Sequence, residues 1–328
     1  MIDFAKLPKK NKTYSGANGN KISVVYNNEL YMLKFPALAS RNDAMSYANG
    51  CISEYIGCKI YKHLEIPVQD VMLGSYTFDS GKEKIVVACK DFATNGLVLQ
   101  DFGSLKNQII DSERNGYGTE LNDILATIDE QTVIDSKILS DRFWDMFITD
   151  AFLGNWDRHN GNWGFLYDYA TDKVTLAPVY DCGSCLYPQI DEQSMPNILA
   201  DKNEMNERIY NRPTSAITQN KKRINYYSFI SSCENPDCNN ALRRFEKKAN
   251  MSQINTIIDN TPFATDTHKT FLKSILKARK EKILDASYKK LCALSKPSIT
   301  KEAFFKTIPD DTKIIAVDKT YKTNYFGS

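Results

Sequence analysis

The stretch Asp157-Arg158-His159-Asn160-Gly161-Asn162, followed at 181–183 by Asp-Cys-Gly, constrains this chain more than any other feature. Upstream of it, Ile138, Phe143, Phe147 and Ala151 recur at helical spacing, and Trp144 and Phe152 broaden the apolar face. Downstream, 163–167 and 174–180 are rich in β-branched and aromatic residues. They flank the polar turn 168–173, so the pair reads as a hairpin. The order is helix, polar loop, hairpin, Asp-x-Gly. Two carboxylates and a carboxamide thus leave one rigid scaffold, as a preorganised site for metal and phosphate requires. Asp, Asn and Gly also favour turns for local backbone reasons, so the six residues alone leave a plain polar turn open.

An Asp five residues before an Asn is the spacing with which a phosphotransfer loop places a proton acceptor and a magnesium-binding amide. A later Asp-x-Gly supplies a second magnesium ligand. The N-terminal third adds the phosphate side. Tyr14–Lys21 is a small glycine-containing turn leading into Ile22–Tyr26, and Asn27-Asn28-Glu29 then feeds Leu30–Phe35. A glycine-containing hairpin lets backbone N–H groups approach phosphate oxygens, and Lys34 stands near the end of its second strand. A helix follows, with Asp43 as a candidate cap and Ile52, Ile56, Ile60 and Leu64 every four residues, ending before Pro67. Glu54 lies off that stripe, twenty residues after Lys34. A carboxylate on a helix that holds a phosphate-binding lysine is a recurrent kinase arrangement. Singly, Lys34 reads as an edge lysine and Glu54 as a solvated one. The order of Lys34, Glu54, Asp157, Asn162 and Asp181 on these elements is what carries weight.

The wording of these motifs resembles a known family. Tyr-Ser-Gly-Ala-x-x-x-Lys at 14–21, Leu-Lys-Phe-Pro at 33–36 and Ser-Glu-Tyr at 53–55 look like those of HipA-type serine/threonine kinases. So do Gly-Asn-Trp-Asp-Arg-His-Asn-Gly-Asn at 154–162 and Leu-Ala-Pro-Val-Tyr-Asp at 176–181. The resemblance implies an α+β, two-lobed protein-kinase-like fold, with a small β-rich N-lobe over 1–92 and a larger, mostly helical C-lobe over 93–328. It implies a transferase using ATP and Mg2+, with Asp157 as catalytic aspartate and Asn162 and Asp181 as catalytic metal ligands. Around the nucleotide it implies Ser15, Gly16, Gly19, Lys34, Glu54 and His159. Val87–Phe92, including Cys89 and Asp91, would be the hinge whose backbone binds adenine. It further implies autophosphorylation, with Ser15 the candidate and Thr13 behind it, and a protein substrate that includes host-cell proteins for a secreted effector. There is no full Gly-x-Gly-x-x-Gly; only Gly16 and Gly19 remain. Only about a dozen residues precede the phosphate loop, so antitoxin- and DNA-linked roles of toxin-type relatives are not expected here.

Two other readings stay open at this point. The loop at 157–162 is also similar to that of phosphoinositide kinases, for which Lys221-Lys222-Arg223 is the one compact basic run in position; a solvated loop is its plainer reading. A pseudokinase scaffold that binds nucleotide without chemistry is the non-enzyme alternative. The chain has 328 residues, enough for two lobes around a cleft, and 42 basic against 40 acidic side chains. That balance leaves no electrostatic footprint for nucleic acid. No segment approaches the roughly 18 apolar residues of a membrane span, and the start lacks a signal-peptide core, so a cytoplasmic location is expected. Eight scattered cysteines then read as reduced thiols. Cys182 and Cys185 have redox spacing, and with Cys233 and Cys238 they have the composition of a zinc site. Overlap with Asp181-x-Gly argues against zinc, and a disulfide switch stays a minor reading. Residues 189–232 read as polar and irregular, where an activation segment would lie. Helical spacing returns at 241–258 and through Phe271, Ile275, Leu276, Ile283, Leu284, Tyr288 and Leu291.

Overall fold

The computed structural model describes residues 2–14, 21–37, 48–110 and 115–294. The N-terminal part is built on strands β1 (Lys9–Lys10), β2 (Lys21–Tyr26) and β3 (Glu29–Lys34), helix α1 (Gly50–His63), and strands β4 (Val71–Thr77) and β5 (Glu83–Lys90). The strands form one sheet in the order β1-β2-β3-β5-β4. Asn27 and Asn28 join β2 to β3 with φ of 49° and 63°. Two left-handed residues make the tight turn whose twist matches a hairpin, and asparagine tolerates that conformation best after glycine.

Period-two alternation divides the hydrophobic residues of this sheet between two cores. Val24, Leu33, Val86 and Ala88 face one side, where Phe4 and Tyr76 close a small cluster. Val71, Leu73, Val87 and Cys89 face the other, join α1, and run without a break into the large core of the remaining chain. Helix α1 is therefore enclosed. Besides Ile52, Ile56 and Ile60 it buries Cys51, Ser53, Glu54, Gly57, Cys58 and Tyr61. The buried face is wider than the every-fourth-residue stripe suggests, and it includes Glu54.

After β5 come β6 (Leu97–Asp101), α2 (Phe102–Ile109), α3 (Leu121–Glu130) and α4 (Ser136–Leu153). Asp135 caps α4 by accepting from Ile138 N, and Gly154 ends it in the left-handed region at φ 68°. Phe143, Trp144, Phe147, Ala151 and Phe152 are buried as the spacing predicts, whereas Ile138, in the first turn, is 55% exposed. Strands β7 (Gly164–Asp168) and β8 (Lys173–Leu176) form the expected hairpin, and β6 pairs on its far side. The second strand stops at Leu176 instead of reaching Tyr180, because Pro178 has no N–H to continue a ladder. The chain then crosses to the other sheet's side. Val179 and Val68 form a parallel bridge, with Val179 N donating to Pro67 O and Gln69 N to Val179 O, both at 2.8 Å.

The expectation of an irregular 189–232 is corrected. Helices α5 (Ser194–Ala200) and α6 (Lys202–Asn206), a π turn at Glu207–Asn211, the hairpin β9 (Thr218–Gln219) and β10 (Lys222–Arg223), and α7 (Tyr226–Ser232) fill it. Polar residues that read as loop formers are helix caps: Asp201 caps α6 and Asn225 caps α7. Helices α8 (Pro236–Lys248), α9 (Met251–Asp259), α10 (Asp266–Arg279) and α11 (Ala286–Leu294) complete the helical part, where Phe271, Ile275, Leu276, Ile283, Leu284 and Leu291 are buried. Among the described residues no helix is long and apolar enough to cross a membrane.

Candidate active site

Lys34, at the end of β3, lies on the α1 side of the sheet, and its ammonium is held by two carboxylates. Nζ is 2.9 Å from Glu54 Oε2 and 2.9 Å from Asp181 Oδ1. Glu54 is sealed, with 1% of its side chain exposed, whereas Asp181 keeps 43% in solvent. The other Glu54 oxygen accepts from Cys182 N at 3.0 Å. One carboxylate on α1 thus fixes both the lysine and the backbone next to Asp181. Glycines make this approach possible. A Cβ on Gly57 would stand 2.8 Å from Cys182 Cβ, and one on Gly183 would stand 3.0 Å from Glu54 Oε2. Asp181 itself has φ 59°, a left-handed conformation that costs a non-glycine residue energy and recurs at functional sites.

The loop after α4 is locked from below by a buried pair. Asp150 accepts from Arg158 Nε at 3.0 Å, Asn155 Nδ2 at 2.9 Å and Tyr61 OH at 2.8 Å. Arg158 spends its other nitrogens on Asn162 O (2.8 Å), on Tyr180 O and on Cys182 Sγ (3.6 Å). It therefore ties together α4, the loop 157–162 and the approach to Asp181. Within the loop, Asn162 Nδ2 donates to Asp157 O at 2.8 Å, which turns the amide oxygen of Asn162 away from that carbonyl. His159 Nδ1 accepts from Gly161 N at 3.0 Å. The sequence reading passed over Asp150 and the structural part of Arg158. The available signal was a charged residue inside the largely apolar run 146–153.

Burial pushes the Asp157 carboxyl up, His159 working against it and the nearby Asp181 with it. Asp181 moves the other way: the Lys34 ammonium holds it below the usual carboxylate range. Burial opposes the charge on Lys34, but Asp181 and Glu54 outweigh it and keep the ammonium protonated well beyond the ordinary lysine range. Glu54 is raised, burial exceeding the pull of Lys34. Two neighbouring aspartates with oppositely displaced affinities for protons can divide the labour: one stays anionic to grip cations while the other receives a proton.

Cys89 and Asp91 lie at the end of β5 and just beyond it. Cys89 is fully buried beneath Lys34's face of the sheet. Asp91 N donates to Leu30 O at 2.8 Å, and its buried carboxylate takes Lys12 Nζ at 2.6 Å, Tyr14 OH at 2.7 Å and Ala93 N at 2.9 Å. Asp91 thus clamps Lys12 and Tyr14, which lead up to Ser15. Ser15, Gly16 and Gly19 lie outside the described residues, as does Asp43. Asn162 and Asp181 are the hard oxygen donors magnesium prefers. Magnesium takes few protein ligands and completes its shell with water and phosphate oxygens. Among the described residues no group of three or more His, Cys, Asp or Glu side chains could hold a metal ion, zinc included. A site made from one carboxylate, one carboxamide and phosphate needs no such group.

This chain belongs to the HipA-like C-terminal domain family, which matches residues 13–265. It is 50% identical over 298 residues to the serine/threonine-protein kinase CtkA of Helicobacter pylori strain J99, covering 90% of each chain. It superposes on the crystal structure of a Helicobacter pylori proinflammatory kinase CtkA with TM-score 0.83 and 47% identity, over 90% of this chain and 99% of that one. A chain of the Shewanella oneidensis complex of HipA, HipB and operator DNA gives TM-score 0.51 at 13% identity, over 86% of this chain and 68% of that one; this is a likeness of fold alone. The mixed α/β kinase fold and the enzyme class are shared with CtkA: the chain is a serine/threonine-protein kinase.

Proposed function

We propose that this kinase transfers the γ-phosphoryl group of ATP to a serine or threonine hydroxyl of a protein, with Mg2+ as the metal. The reading is carried by Lys34 Nζ standing 2.9 Å from both Glu54 and Asp181, the charge arrangement that positions nucleotide phosphates. Asp157 orients the acceptor hydroxyl and takes its proton, and its raised affinity for protons suits that task. Lys34 steadies the phosphates. Asn162 and Asp181 would hold magnesium, which supplies charge to offset that developing on the phosphoryl oxygens. Residues 1–92 act as the nucleotide-covering lobe and 93–328 as the lobe carrying the acceptor side. His159 and the 87–92 segment border the nucleotide.

We further propose autophosphorylation in the 13–21 stretch, on Ser15 or Thr13. A protein target inside a host cell is the reading favoured by the CtkA described as proinflammatory. Incubation with γ-labelled ATP, Mg2+ and a generic protein acceptor tests the reaction. Label enters protein with the native chain and not with Asp157→Ala, while Asp157→Ala still binds ATP. An active Asp157→Ala enzyme refutes the assignment. Phosphate found by mass spectrometry only outside 13–21 refutes the autophosphorylation site.

A further inference from the structure

Residues 218–223, Thr-Gln-Asn-Lys-Lys-Arg, make a rigid basic hairpin beside the catalytic loop. Asn220 and Lys221 form its tight turn with φ of 53° and 63°. Glu120 holds that turn through backbone and hydroxyl groups, accepting from Asn220 N at 2.7 Å, Lys221 N at 3.1 Å and Thr218 Oγ1 at 3.0 Å. Thr218 N also donates to Thr119 O at 2.8 Å. Lys221, Lys222 and Arg223 are three successive exposed cations.

Arg223 reaches the loop itself. Its Nε donates to Ser215 O at 2.9 Å and its Nη2 to Trp156 O, with the guanidinium 5.8 Å from the Trp156 ring centroid. Trp156 immediately precedes Asp157, whose carboxylate feels the Arg223 charge. The hydrogen-bond and ring partners of Arg223 among the described residues are neutral, and the charge it exerts on Asp157 acts without a direct ion pair. Carbonyls and a ring fix the side chain in place without cancelling its charge. A phosphoinositide headgroup would also meet cations, but the fold and the CtkA relationship point to a protein acceptor.

We propose that this hairpin docks the acceptor segment and selects serines or threonines flanked by Asp or Glu side chains. The inference rests on the reading in which Asp157 meets the acceptor hydroxyl. A ledge one residue from that aspartate then faces the acceptor's neighbouring side chains. Charge pairs of this exposed kind are individually weak but set preference among partners.

The test uses two synthetic peptides, identical except that the central serine is flanked by Glu or by Gln. With the native chain, kcat/KM favours the Glu peptide by about tenfold, and 0.5 M salt lowers that preference several-fold. Lys222→Gln reduces the ratio, and Lys222→Glu reduces it further, to near unity. Thermal midpoints equal to the native one show that both variants fold. A native ratio within twofold of unity, or one that neither variant nor salt moves, overturns the proposal while leaving the kinase reading intact. Absence of label from both peptides and from the chain itself overturns the phosphotransfer reading, and this one with it.

Discussion

Arg158 and Asp150 form a buried ion pair, Nε to Oδ2 3.0 Å, from which the rest of the loop 157–162 is hung. Replacing such a pair by apolar groups is often neutral, whereas removing one partner leaves an uncompensated charge. Arg158→Met is therefore expected to lose about 3–5 kcal/mol of stability in urea titrations. A loss below about 1 kcal/mol, the value of an exposed pair, would show that Asp150 does not depend on it.

Glu54→Gln keeps the shape of α1 but removes one of the two charges on Lys34. The expected result is a rise in KM for ATP and a fall in kcat, together of order 10–100-fold in kcat/KM, since positioning and charge are both degraded. Steady-state kinetics over a range of ATP concentrations measure it. Unchanged kinetics would mean that Asp181 alone suffices to place the lysine.

In the proposed mechanism, Asp157 couples activity to stability through pH. Its folded-state affinity for protons is raised by burial. The stability it contributes is thus present below the unfolded carboxylate pKa of about 4 and lost as pH rises through the higher folded value. Asp157→Asn is expected to melt roughly 1–3 °C above the native chain at pH 7, with the gap closing as pH falls below that range. Activity should fall on acidification with an acid limb above the ordinary carboxylate pKa. Asp181, held low by Lys34, keeps its charge in that window and loses its contribution only at lower pH. A native chain more stable than Asp157→Asn at neutral pH would contradict this sign.

Gly57→Ala drives a methyl into Cys182, whose Cβ lies 2.8 Å from the position it would take. Overpacking of this kind costs about 1–3 kcal/mol, and here it presses α1 away from the Asp181 segment. A lower denaturation midpoint accompanied by a higher KM for ATP is expected. A midpoint shift without any kinetic change would place the strain elsewhere.

The sequence displayed the order of elements well because strong periodic signals carry it. The run Phe143–Phe152 demanded a buried helix, and Asn27-Asn28 between two apolar runs demanded a tight hairpin. Proximity was far less visible. Glu54 looks like a surface residue on one helical stripe, and it is buried because α1 is covered on several sides, which no local pattern encodes. The strand end at Leu176 could have been found from Pro178. The order within 189–232 was hidden because the same Asn and Asp side chains that stop helices also cap them. Asp150 and Arg158 went unread as partners because their meaning depends on what surrounds them.

Asp181 and Glu54 share one lysine, so the cleft supplies its own counter-ion. Two acids gathered near one point would otherwise repel each other and loosen the hairpin from α1. In the proposed reading, Lys34 stands in for the cation that would come with nucleotide. On that reading, loading ATP would exchange one positive partner of Asp181 for another, so tight nucleotide capture should depend on a divalent metal coming with it.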